Sequence, residues 1–190
     1  MSVKSIMIVG VGGQGTLLSS RLLGSILVEQ GFDVKVSEVH GMSQRGGSVV
    51  TYVRYGDKVN SPIVTEGEAD IILAFEQLEA ARWLPFLKKG GKIIVNTQTI
   101  DPMSVVMGNA EYPMSVLDDI EKAGAEIERV DALGKAVEAG TSKAVNVVLI
   151  GVLAKYTDFP IEAWHKAIED TVPAKFKELN IKAFNLGYGE

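Results

Sequence analysis

The chain has 190 residues, 46% of them hydrophobic, and a formal net charge of −5. That length supports one substantial core, so one domain over residues 1–190 is expected, and the acidic balance argues against the basic surface that nucleic acid or anionic lipid requires. There is no cysteine, which excludes disulfides, thiolate zinc sites, catalytic thiols and cysteine-ligated iron–sulfur clusters within this chain.

In chain order, Val3 to Gly10 is a short β-branched run ending in glycines, and Leu17 to Glu29 carries Leu18, Leu22 and Ile26 at helical spacing. Asp33 to Glu38 alternates polar and apolar residues as a second strand, completing a βαβ unit. Ser48 to Tyr55 reads as the next strand. It follows after a short glycine-rich loop with no helix in it, and a parallel crossover usually needs a dozen residues or more, so this strand is expected to run antiparallel to a neighbour. Ala69 to Phe75 and Lys92 to Asn96 are buried-strand candidates flanking a helix, Gln77 to Lys89, that should stop at Gly90-Gly91. Ile100 to Pro113 reads as a long loop, and Gly124 to Asp131 as one further strand. From Ser142 the pattern is helical: an all-apolar helix through Tyr156, an amphipathic one from Ile161 to Asp170, and another near Ala174 to Ala183. The expected fold is a three-layer α/β/α, Rossmann-like domain with a mixed, mostly parallel sheet and a helical C-terminal third. The longest apolar run, Val147 to Ala154, is far shorter than the roughly 20 residues that cross a bilayer, and no export signal is visible. A cytoplasmic protein without membrane contact is expected.

Two loops stand out. Gly10-Val11-Gly12-Gly13-Gln14-Gly15 fits G-x-G-x-x-G and lies between a strand and a helix, where missing Cβ atoms allow close approach and the free N–H groups that follow, through Thr16, can face an anion. Close strand–helix packing alone would also explain the glycines. The second loop, Glu38 to Ser48, holds His40, Ser43, Arg45, Gly46 and Gly47 between two strands; a guanidinium at that sheet edge is placed to meet phosphate or carboxylate, and an ordinary connector with a solvated Arg45 is the alternative. Glu38, at the end of the second strand, stands where an acid would bind the ribose of NAD, which keeps open a stand-alone NAD-binding dehydrogenase or a nucleotide-binding interaction domain. Glu76 and Asn96, at strand ends, are candidates to line the same crevice, whereas Asn146 on the apolar helix is expected to make a structural hydrogen bond. His40 and His165 lack any recognisable hydride-transfer partners.

Taken together, Gly10-Val11-Gly12-Gly13-Gln14-Gly15 and Ser37-Glu38-Val39-His40-Gly41-Met42-Ser43-Gln44-Arg45-Gly46-Gly47-Ser48 resemble the γ-type subunits of 2-oxoacid:ferredoxin oxidoreductases. Gly67-Glu68-Ala69-Asp70 and Asn146-Val147-Val148-Leu149-Ile150-Gly151 extend the likeness over nearly the whole chain, and the form of the second loop is more similar to the indolepyruvate branch than to the pyruvate branch. The resemblance implies a large partner subunit that carries thiamine diphosphate and the iron–sulfur clusters, coenzyme A as co-substrate, ferredoxin as electron acceptor through the complex, and an isolated chain that is inactive and free to form a homodimer. It also implies that Gly10, Gly12, Gly13, Gln14, Gly15 and Thr16, with His40, Ser43, Arg45, Gly46 and Gly47, form one cofactor-binding wall; no residue of this chain is expected to be catalytic or to hold a metal.

Overall fold

In the computed structural model, which describes residues 2–38 and 46–189, strand β1 (Lys4–Val11) sends Ile6 and Ile8 into one hydrophobic core and Met7 and Val9 into another. A strand apolar on both faces must be covered on both, and that single requirement dictates three layers. Helices α1 (Thr16–Glu29), α5 (Ala132–Ala139), α6 (Val145–Ala154), α7 (Ile161–Thr171) and α8 (Lys177–Tyr188) supply the first core, with Leu22, Leu23, Ile26, Trp164 and Phe184 among its buried side chains. Helices α2 (Gln77–Trp83) and α4 (Val116–Lys122) cover the second through Ala80, Val116, Leu117 and Ile120. A short helix α3 (Met103–Val106) lies in the long loop between them.

The sheet contains β2 (Asp33–Glu38), β3 (Ser48–Gly56), β1, β4 (Ala69–Ala74), β5 (Leu87–Asn96) and β6 (Glu126–Val130), in that spatial order. Strand β3 pairs antiparallel with both β1 and β2, and the β1–β4, β4–β5 and β5–β6 pairs are parallel. The expected mixed sheet and reversed third strand are therefore present, with β3 inserted between the two strands of the first βαβ unit.

One predicted element is corrected. The helix expected over Gln77 to Lys89 ends at Trp83; a 3-10 turn, Leu84–Phe86, follows, and Lys88 to Gly91 belong to β5. Pro85 carries no N–H and cannot continue the α-helical ladder. Helices α6 and α8 also start later than their sequence pattern, each preceded by a 3-10 turn, Ser142–Ala144 and Ala174–Phe176 respectively.

The strand order creates a switch point. After β1 the chain turns to the α1 layer, and after the neighbouring parallel strand β4 it turns to the α2 layer. Between strands whose connections leave to opposite faces, the carboxyl ends open into a crevice, the usual ligand position in open α/β sheets.

Candidate functional site at the sheet switch point

The glycine turn forms the floor of that crevice. Gly13 and Gly15 have φ of 101° and 86°, in the left-handed region that favours glycine, and Gly15 is the N-cap residue of α1. Gly10 is required for space: a methyl group there would lie 2.8 Å from Gln14 Oε1 and 3.0 Å from Phe75 Cβ. The Gln14 side chain turns inward. Its Oε1 accepts from the Val11 N–H at 2.7 Å, and its Nε2 donates to the Phe75 carbonyl at 3.1 Å. One amide thus ties the end of β1 to the residue after β4, directly across the switch point. Thr16 is buried at the first turn of α1.

The glycine turn also meets the second loop. The Gly12 N–H donates to the Gly47 carbonyl at 2.9 Å, and Gly46, with φ of 106°, precedes it. Ser48 donates its hydroxyl proton to Glu79, which in turn accepts from Arg82 Nε at 3.0 Å. His40, Ser43 and Arg45 lie outside the described residues. Of the eleven residues assigned to one wall, the structure brings Gly10, Gly12, Gly13, Gln14, Gly15, Thr16, Gly46 and Gly47 to one edge of the sheet.

Two cavities flank the turn. One of about 320 Å³ lies toward β3, with Gly12, Gly13, Gly15 and Thr16 on one side and Val49, Val50 and Thr51 on the other. The second, of about 520 Å³, is the switch-point crevice itself. Gly13, Gln14 and Gly15 face Gln98, Leu133, Ser142, Lys143 and Val145 across it.

Glu76 and Asn96 do not line these cavities; both are buried beneath them and hold the scaffold. Asn96 donates to the Phe75 carbonyl at 3.2 Å and accepts from the Ala132 N–H at 3.2 Å. Glu76, 1% exposed, accepts from the N–H of Glu79 at 3.0 Å, from that of Ile100 at 3.2 Å and from the Tyr112 hydroxyl. One buried carboxylate therefore anchors helix α2 and both ends of the long loop. Burial, reinforced by the hydrogen bond to Glu76, pushes the Tyr112 phenol well above its ordinary range. Asn146 makes the expected structural contact, donating to the Gly15 carbonyl at 3.4 Å. His165 contacts Asn185 at 2.7 Å within the helical layer, through α7 and α8.

Sequence reasoning did not find Gln98, Ser142, Lys143, Ser48, Glu79 or Tyr112. All but Ser48 gain their places from chain crossings dozens of residues long and sit in no local motif. The one available signal was Ser48, which ends the glycine-rich loop.

Fold and site define a Rossmann-like domain whose crevice is built of backbone amides and uncharged side chains, with Lys143 the one charged lining group among the described residues. The sequence profile of the pyruvate ferredoxin/flavodoxin oxidoreductase family matches residues 5–190, and the chain belongs to this family. It is 46% identical to the "Indolepyruvate oxidoreductase subunit IorB" of Pyrococcus horikoshii over 98% of this chain and 95% of that one. Among solved structures, pyruvate oxidoreductase subunit PORC of Thermotoga maritima superposes with a TM-score of 0.74 at 22% identity, covering 100% of this chain and 97% of that one. A 2-oxoglutarate:ferredoxin oxidoreductase of Magnetococcus marinus gives 0.73 at 17% identity, with all of this chain covering 31% of that one. The chain is thus a small subunit of a ferredoxin-dependent 2-oxoacid oxidoreductase. The stand-alone dehydrogenase reading is not favoured, and Glu38, its ribose-binding candidate, accepts a hydrogen bond from Ser20 Oγ of α1 at 2.6 Å.

Proposed function

We propose that this chain completes the active site of a larger partner subunit that carries thiamine diphosphate and iron–sulfur clusters, in a cytoplasmic complex acting on an aryl pyruvate of the indolepyruvate kind. The 46% identity to a subunit named for indolepyruvate supports the substrate class. The cysteine-free sequence supports the division of labour, because cysteine-held clusters must then lie in another chain. Thiamine diphosphate in that partner supplies the decarboxylation chemistry, and the clusters carry the electrons to ferredoxin. The contribution of this chain is a wall: within the stretch from Gly12 to Thr16, the amides of Gly13, Gly15 and Thr16, with the guanidinium of Arg45, receive an anionic group at the subunit interface, while those of Gly12 and Gln14 hold the turn in shape. That group is a coenzyme A phosphate or part of the thiamine site. The isolated chain, inactive alone, acts as one unit over residues 1–190.

The observation that supports this reading is the 2.9 Å hydrogen bond from the Gly12 N–H to the Gly47 carbonyl, which ties the glycine turn to the described end of the second loop. The donor set fits an anion, since the turn presents N–H groups without Cβ atoms around them and no carboxylate lines the adjoining cavities among the described residues. The test is an Arg45→Ala subunit assembled into the complete enzyme. Turnover should fall, or the KM for coenzyme A rise, by about tenfold or more, the worth of one charge-assisted hydrogen bond. A normally assembled enzyme with unchanged turnover and unchanged coenzyme A dependence would overturn the assignment.

A further inference from the structure

Beyond the switch-point crevice, on the other side of the Thr141–Asn146 turn, lies a third cavity of about 240 Å³. Its walls are largely apolar: Leu18 from α1, Ala144, Val172, and Phe176 and Leu179 at the start of the last helix. Thr141, Asn146 and Asn180 add polar atoms at its margin. Lys143 is common to this groove and to the crevice at the glycine turn, and it is the sole charged residue lining either among the described residues. No carboxylate lines either space, although the chain as a whole is acidic, and among the described residues the Lys143 ammonium has no ion-pair partner. An unpaired cation between a polar crevice and an apolar groove matches a ligand with an anionic head and an apolar arm.

We propose that Lys143 and the adjoining groove form a binding site for a phosphate ester with an apolar arm, the phosphate at Lys143 on the crevice side and the arm lying along Leu18, Phe176 and Leu179. The inference rests on the reading of the glycine turn as an anion-receiving wall, and extends the ligand's path from that wall to α8. Charge complementarity commits the groove to this occupant. The phosphate meets the lone ammonium and the hydroxyl of Ser142, and the arm leaves water for apolar side chains that include the half-exposed Phe176 ring.

The experiment is calorimetric titration of the full chain, and of its complex with the partner subunit, with inorganic phosphate, butyl phosphate and octyl phosphate. Octyl phosphate should bind at least about tenfold more tightly than butyl phosphate, because each methylene removed from water adds a several-fold gain. Lys143→Gln should weaken both esters about tenfold or more, as expected for loss of a charge-assisted contact. Phe176→Ser, a change at an exposed position, should reduce the chain-length dependence and leave inorganic phosphate unaffected. Equal binding of butyl and octyl phosphate would overturn the groove, unchanged binding by Lys143→Gln would overturn the lysine, and no binding by either preparation would overturn both. Arg45→Ala separates this inference from the reading beneath it. If Arg45→Ala weakens inorganic phosphate and Lys143→Gln does not weaken octyl phosphate, the glycine-turn reading stands and this site falls; the opposite pattern keeps this site and removes that reading.

Discussion

The Gln14 side chain links the ends of two strands whose helices leave toward opposite faces of the sheet. Its two hydrogen bonds, to the Val11 N–H and the Phe75 carbonyl, are both partly buried, so truncation removes the side-chain partner of the Val11 N–H and leaves the Phe75 carbonyl with the Asn96 amide as its remaining side-chain donor. Gln14→Ala should lower stability by about 1–3 kcal/mol, measured by urea denaturation, and unchanged stability would show that the turn holds without the strut. Tyr112 offers a second test, in pH. Burial and the bond to Glu76 raise its folded value above the ordinary 10.0, so the folded state keeps a proton that the unfolded state releases. The resulting stability is whole below about pH 10 and declines as pH rises from there toward the folded value. Denaturation at pH 9 and pH 11 should show a smaller decline for Tyr112→Phe than for the natural chain; equal declines would contradict the assignment.

Helices α6 and α8 approach each other through glycine on both sides. A methyl group at Gly151 would overlap the Phe184 carbonyl oxygen, and one at Gly187 would overlap that of Val148. Gly151→Ala should therefore destabilise the protein by about 1–3 kcal/mol through overpacking, read as a lowered thermal midpoint, and an unshifted midpoint would contradict so close a crossing. How much of this was legible in the sequence differs by element. The first βαβ unit, the reversed β3 and the all-apolar α6 could be read because strand runs, loop length and burial pattern are local signals. Helices α4 and α5 were not read, since each has only seven or eight residues and sits where the sequence resembles loop or strand flanks. The early end of α2 was missed because the helical pattern continues through Pro85 and only the backbone chemistry of proline stops it. At the site, the glycine turn was legible from its own motif. The scaffold roles of Glu76, Asn96 and Tyr112 were not, because the partners that tie them to other elements lie 21 to 36 positions away in sequence.

At the scale of the whole molecule, the crevice floor is built from this chain's glycine turn, which joins Gly47 on one side and faces Lys143 on the other. The chain has no cysteine, and Lys143 is the one charged group lining the crevice among the described residues. The M. marinus oxidoreductase, in which the same fold accounts for 31% of a longer chain, shows such a unit joined to further polypeptide. No described helix is long and apolar enough to cross a membrane. The most direct test is reconstitution. The purified large subunit, loaded with thiamine diphosphate and its clusters, is assayed for indolepyruvate-dependent reduction of ferredoxin with and without this chain. Turnover should require the chain and saturate at one copy per large subunit, with the chain alone inactive. Full activity of the large subunit by itself, or no complex between the two, would contradict the account.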